Sequence, residues 1–168
     1  MQTGDLPAVL ALQAAAYADA AFTPEQPGVY TDRMALAPTL CLVAVGVDGH
    51  LLGYLVSHPW DAGAPPSLDL RLGRLPPDCD RWYLHDCAVA RQAHGRGVAA
   101  VLYEVASQHA AQQGWRQAAL VAVGDAAGYW ARWGYVAQVR PDLDAKMAGY
   151  GPSACYMVRS HWPRPAAA

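Results

Sequence analysis

The stretch from Leu84 to Val105 gathers the residues best suited to chemistry. Gly95 and Gly97 bracket Arg96 where a strand-like run ends and a helix-like run begins. Glycine has no β-carbon, so the backbone there can approach a ligand closely. The first N–H groups of a helix lack intrahelical partners and lie at the positive end of its dipole. With the Arg96 guanidinium they make a site for phosphate oxygens, and a pyrophosphate-containing ligand is the physical inference. The plainer reading is a turn that only connects two elements. The order Gly-Arg-Gly-Val-Ala is not the dinucleotide-binding G-x-G-x-x-G, and no Gly-Lys-Ser or Gly-Lys-Thr follows. Just upstream, His85 and Asp86 are adjacent, so on a strand they point to opposite faces, with His85 on the face of Val89. An imidazole titrates near neutrality and can take up a proton.

These residues need elements to hold them. Trp82 to Val89 reads as a strand, and a helix follows the glycine turn to about Gln113, stopped by Gly114. Its apolar stripe is Val98, Val101, Leu102 and Val105. Before them, Asp5 caps a first helix carrying Leu6, Leu10, Ala14 and Tyr17, and a short helix fits around Tyr30 to Leu36. Leu40 to Val47 and Leu51 to Ser57 flank Asp48-Gly49 as a hairpin. Pro59 to Asp80, with five prolines and two glycines, is a long connection. After the central helix come a buried strand at Gln117 to Val123, a helix from Ala126 to Trp133 closed by Gly134, and strands at Tyr135 to Val139 and Ala154 to Arg159. The order predicts an α/β fold around one mixed sheet, as a single domain over residues 1–162 with a flexible tail at 163–168.

Composition narrows the function classes. The chain has 168 residues, 54% hydrophobic and 15% charged, with a formal net charge of -2. That is a globular composition, without the basic excess of a nucleic-acid groove or an anionic-membrane binder. Cys41, Cys79, Cys87 and Cys155 are too far apart in sequence for a zinc pair or a redox dithiol, and Cys41, Cys87 and Cys155 read as small core apolars. No apolar stretch is long enough to span a bilayer, and the cytoplasm is the expected location. His50, His58, His109 and His161 form no ligand pattern, so no metal is expected.

Val89 to Ala99, V-A-R-Q-A-H-G-R-G-V-A, resembles the acetyl-CoA signature of the GNAT acetyltransferase superfamily. His94, Gly95, Arg96, Gly97, Val98 and Ala99 fall on its Q/R-x-x-G-x-G/A positions, with His94 where Gln or Arg is usual. Tyr129 to Tyr135, Y-W-A-R-W-G-Y, looks like the family's F-Y-x-x-x-G-F block. The resemblance implies a sheet of six to seven strands flanked by helices and splayed between strands 4 and 5. Only Met1 to Thr3 stand where the family opens with a strand. Acetyl-CoA would lie in the splay, its pantetheine along Cys87, Ala88 and Val89, its pyrophosphate at His94 to Ala99, and Trp130 beside it. An amine would attack the thioester directly in a ternary complex.

Such an attack needs a proton acceptor, a donor for the leaving thiolate and N–H groups for the thioester oxygen. The last could come from the backbone near Ala88 and Val89. The segment Tyr-Leu-His-Asp-Cys-Ala-Val resembles the matching strand of arylalkylamine N-acetyltransferases, which carry histidines on alternate positions here. His85 falls on one and Tyr83 on the other, so His85 is the candidate base and Asp86 its alternative. The family's usual acid position holds Trp130, whose indole has no useful proton. Tyr129 is the nearest phenol, Tyr150 and Tyr156 are alternatives, and the thiolate could also leave unassisted. By the same resemblance the acceptor lies near Phe22, Tyr30 and Trp60, with Glu25 and Asp61 as partners for a cation. The expected partner is a small-molecule amine, for a monomer or homodimer. A catalytically silent acyl-CoA-binding module is the alternative.

Overall fold

The computed structural model describes residues 1–160; the tail at 163–168 lies outside them. Two helices open the chain, α1 (Leu6–Ala16) and α2 (Pro27–Leu36), each with proline in its first turn, where a missing N–H costs little. The hairpin follows as β1 (Cys41–Val45) and β2 (Leu51–Trp60), then β3 (Arg81–Val89), α3 (Val98–Ala111), β4 (Gln117–Ala122), α4 (Ala126–Arg132), β5 (Val136–Ala137), α5 (Asp144–Ala148) and β6 (Cys155–Ser160). α5 is a single short turn that no sequence pattern announces. Thr3–Asp5 form a 3₁₀ turn where the family resemblance puts a strand.

One six-stranded sheet runs in the order β1-β2-β3-β4-β6-β5. All pairs are antiparallel except β3 with β4. That parallel step is the one bridged by α3, as a strand–helix–strand unit requires. Helices cover both faces. On one, α1 and α2 pack Leu6, Val9, Val29 and Tyr30 against Tyr54, Val56 and Ala88. On the other, α3 and α4 pack Leu102, Tyr103, Ala106 and Trp130 against Leu55, Trp82, Leu84 and Leu120. Tyr54, Leu55 and Val56 alternate between the faces and are all fully buried, which is why β2 reads as a continuous apolar run.

Two features of β3 build the site. It pairs with β4 only over Arg81 to Leu84, opposite Gln117 to Leu120, and beyond that the two strands part. Its pairing with β2 also shifts register: Val56 opposes Asp86 but Ser57 opposes Leu84, leaving His85 as an extra residue. A bulge of this kind turns the strand and re-aims side chains. The even alternation expected across His85 and Asp86 is therefore broken. Both side chains bond to the layer of α1, α2 and the loop between them, through Glu25 for His85 and through Tyr17 and Tyr30 for Asp86.

Candidate active site

The glycine turn stands where β3 ends. Gly95 and Gly97 have φ of 75° and 77°, a left-handed backbone that other residues resist. A β-carbon at either would meet no protein atom within 4 Å. The first helix-type bond of α3 runs from Val101 N–H to Gly97 O at 3.0 Å, so the N–H groups of Val98, Ala99 and Ala100 have no partner within the helix. His94 turns back and bonds Val89 O through Nε2 at 2.9 Å, so that nitrogen braces the turn rather than facing a ligand. A groove of about 650 Å³ opens over this turn, lined by Val89, the turn glycines, the start of α3, Ala126, Tyr129 and Arg132. N–H-rich at the turn, with Arg132 as the arginine in its lining and otherwise mostly apolar, it fits a phosphate-bearing ligand with an extended arm; Arg96 is not part of the lining.

Gly53 explains how α3 sits so close to the sheet. A β-carbon there would meet Ala88 O and Val98 Cγ1, both at 3.0 Å, and Val89 Cγ2 at 3.3 Å. Only glycine lets the first residue of α3 rest directly on β2. Ala90 N–H donates to Leu52 O at 2.8 Å. Strand alternation then points the Ala88 N–H to β2 as well, and turns those of Val89 and Cys87 to the open edge facing the splay. The backbone donors on that edge are thus Cys87 and Val89, not Ala88.

The aromatic pair on α4 is arranged differently from its place in the motif. Trp130 is 7% exposed and packs on Tyr103 and Tyr135 in the core, with ring centroids at 5.7 and 5.8 Å. Tyr129 is the one that lines the groove, with Arg132 over its ring at 5.2 Å. Desolvation pushes the Tyr129 phenol up, partly offset by a hydrogen bond with Trp133.

His85 Nε2 lies 2.7 Å from Glu25 Oε2, with both side chains 4% exposed. Facing a carboxylate, Nε2 is assigned the hydrogen, which leaves the lone pair on Nδ1. Burial pushes the Glu25 carboxyl up, but the facing His85, their hydrogen bond, the Asp69 N–H and Arg33 together bring it below the ordinary value. Gln13 holds the backbone beneath: with its amide oriented to suit, its oxygen accepts from Glu25 N–H at 2.9 Å and its nitrogen donates to Glu25 O at 3.2 Å. His58 packs 5.9 Å from the His85 ring, and desolvation followed by the nearness of His85 drives it well below the ordinary imidazole range.

Asp86 is caged. Tyr17 donates to its Oδ1, and Tyr30 and Tyr54 to its Oδ2, each at 2.6 Å. Three of its four lone-pair positions are taken. Burial raises its carboxyl and the three hydroxyls only partly reverse this. Asp86 thus joins α1, α2 and β2 rather than standing free as a base. Tyr30, expected near the acceptor, is 0% exposed and belongs to this cage. Cys87 is half-buried, and burial then Asp86 push its thiol up to about 12, so it stays protonated.

A second cavity, about 530 Å³, opens on the far side of the splay between Tyr17 and Phe22, the Val123–Gly124 turn after β4, and Tyr150 to Ser153. Phe22 packs on Tyr17 and Tyr150, with centroids at 5.3 and 6.3 Å. Asp19 is the carboxylate in its lining, which holds no lysine or arginine. A smaller cavity of about 390 Å³ shares Val89 and His94 with the groove, and Ala16 and Asp19 with the aromatic cavity. The three share walls from the glycine turn to the aromatic cavity. Trp60 lies elsewhere: its indole donates to Ala64 O at 3.0 Å and it borders a depression formed by the loop at 70–77. The sequence reading missed Gln13, Tyr17 and Tyr54, which single out as partners only once α1 and β2 are laid on β3.

Residues 7–135 match the model of the Acetyltransferase (GNAT) family. The chain belongs to that family. It is a GNAT acyltransferase. No curated protein matches its sequence. Among solved structures it resembles a GCN5-related N-acetyltransferase from Kribbella flavida, 21% identical, with a TM-score of 0.68 over 95% of this chain and 94% of that one. It also resembles the GNAT-like decarboxylase GphF in complex with isobutyryl-CoA, 17% identical, with a TM-score of 0.71 over 95% and 96%. A third is Naa20 of Chaetomium thermophilum in complex with a bisubstrate analogue, 19% identical, with a TM-score of 0.70 over 95% and 84%. At these identities the likeness is one of fold. The GNAT splay is here the parting of β3 from β4. Among the described residues no group of three or more His, Cys, Asp or Glu could hold a metal, and no helix is long and apolar enough to cross a membrane.

Proposed function

We propose that this GNAT acyltransferase moves the acetyl group of acetyl-CoA to the primary amine of a compact small molecule, by direct attack in a ternary complex. The observation that carries the reading is the row of three cavities with shared lining residues, from the N–H-rich glycine turn through Val89 and His94 to Ala16 and Asp19 beside the aromatic cavity. Acetyl-CoA supplies the activated acyl group as a thioester. The turn from Gly95 to Ala99 holds its phosphates, and the Cys87 and Val89 N–H groups stand where a thioester oxygen needs donors. The cavity of about 530 Å³ suits a compact acceptor, and Asp19 draws a cation into a lining without competing positive charge.

The bonds made and broken are a new N–C bond to the amine and a broken C–S bond. The amine proton goes to Nδ1 of His85, through a bridging water because that side chain is 4% exposed. Glu25 stabilises the imidazolium. Tyr129, on the groove wall, is the donor nearest the cofactor path for the leaving thiolate. Tyr150 lines the acceptor cavity and donates its hydroxyl to Pro66 O at 2.9 Å, which holds its ring in the cavity wall.

The test is thiol release from acetyl-CoA with two kinds of acceptor: compact monoamines, and peptides whose N-terminus is the sole amine. Release that requires a compact amine supports the reading. Release with the peptides alone would assign the chain to polypeptide acetylation, and CoA binding with no release would make it a silent acyl-CoA module.

A further inference from the structure

The loop from Asp61 to Asp80, between β2 and β3, is fastened to α2 at several points, and one fastening reaches the proton acceptor. Asp69 N–H donates to Glu25 Oε1 at 2.8 Å, and Asp69 Oδ1 accepts from Gln26 N–H at 2.7 Å. One loop residue thus grips both the carboxylate of Glu25 and the backbone directly after it. Glu25 Oε2 is the atom that meets His85. Asp69 holds this grip with φ of +56°, the one positive φ outside glycine among the described residues. A backbone in that region is held by its surroundings at a cost, and such positions cluster at functional sites. Asp32 anchors the next turn of the same loop, accepting from Leu72 and Gly73 N–H at 2.8 and 2.9 Å, so Asp69 works from a fixed base.

We propose that Asp69 is a positioning residue for proton transfer: it fixes the Glu25 carboxylate so that Nε2–H of His85 is held and Nδ1 is turned toward the acceptor. The inference rests on the reading of His85 as proton acceptor. Glu25 stands in a loop without helix or strand, and its rotamer is set by two contacts, His85 on one oxygen and Asp69 on the other. Without the Asp69 side chain on Gln26 N–H, nothing pins the Asp69 backbone N–H against Glu25, so the carboxylate rotates and His85 loses its orientation. Misplacing a reacting group by about 1 Å costs on the order of 10²-fold in rate.

The test is a set of variants assayed with acetyl-CoA and an accepted amine. Asp69→Ala is expected to lower kcat about ten- to a hundred-fold with the KM for acetyl-CoA unchanged. Asp69→Asn keeps the acceptor oxygen and tolerates the left-handed backbone, and restores kcat to within about threefold of wild type. Asp69→Gly, which removes the side-chain bond without backbone strain, stands in if the alanine variant does not fold. In a Glu25→Gln background the Asp69 substitution is expected to cost nothing further, because both act through one path. Equal losses in the two backgrounds, or a wild-type kcat for Asp69→Ala, would overturn the proposal while leaving His85 as acceptor. Wild-type rates for both His85→Ala and Glu25→Gln would instead remove the reading beneath it, and the proposal with it.

Discussion

Glu25 and His85 form a buried carboxylate–imidazole contact, and on the proposed mechanism both the chemistry and the stability of the site hang on it. Loss of a positioned acid or base typically costs 10²- to 10⁴-fold. His85→Ala is therefore expected to lower kcat/KM for the amine by about that factor, measured at saturating acetyl-CoA, with little change in acetyl-CoA affinity. Asp86 behaves differently. Its carboxylate holds three tyrosine hydroxyls, so Asp86→Asn is expected to cost stability more than rate. Glu25 also gives a pH signature. Its carboxyl is held below the ordinary value of 4.5, so it adds stability above that pH, which is lost as pH falls through the lower folded-state value. The stability difference between wild type and Glu25→Gln, from urea unfolding, is expected to be larger at about pH 7 than at about pH 3. An equal difference at the two pH values would show that Glu25 carries no such linkage.

The elements around the cofactor groove are set by two glycines with different duties. Gly97 lies open to the groove in a left-handed backbone, whereas Gly53 is covered by α3. Gly53→Val is expected to push α3 off β2, lowering stability by about 1–3 kcal/mol as overpacking does and shrinking the thermal shift given by acetyl-CoA. Gly97→Val is expected to abolish most of that shift and also to destabilise the unliganded protein, because valine resists the left-handed backbone there; thermal melts with and without acetyl-CoA check both. Much at this scale was legible in the sequence: the Asp48-Gly49 hairpin, the strand into the Gly95–Gly97 turn and the helix stopped by Gly114 all carry local chemistry. The bulge at His85 was not legible, because it depends on how Val56 and Ser57 pair with β3, a contact between strands far apart in sequence. Nor was the exchange of roles between Tyr129 and Trp130. A two-residue motif does not say which ring the core claims, and here Tyr103 and Tyr135 hold the indole.

At the scale of the whole molecule, the sheet forms a wedge, and the proposed function gives its two sides different substrates. The parallel pairing of β3 with β4 ends at Leu84 and Leu120, and the cleft follows from that parting. The family block at Val89 to Ala99 made the cofactor side readable in sequence. The acceptor side comes from Tyr17, Phe22, Tyr150 and Asp19, brought together from α1, its following loop and the segment before β6, and no local pattern announces them. Cleft walls of this kind also set a size limit: amines with a compact apolar body are expected to have a lower KM than long polyamines, and Asp19→Asn is expected to raise that KM several-fold. The central claim is that both substrates occupy the wedge together, so that the amine attacks the thioester directly. Initial rates measured while acetyl-CoA and amine are varied against each other test it. Reciprocal plots that intersect are the predicted result. Parallel lines, with an acetyl group found on the chain at Cys87, would mean a covalent relay and would contradict the account.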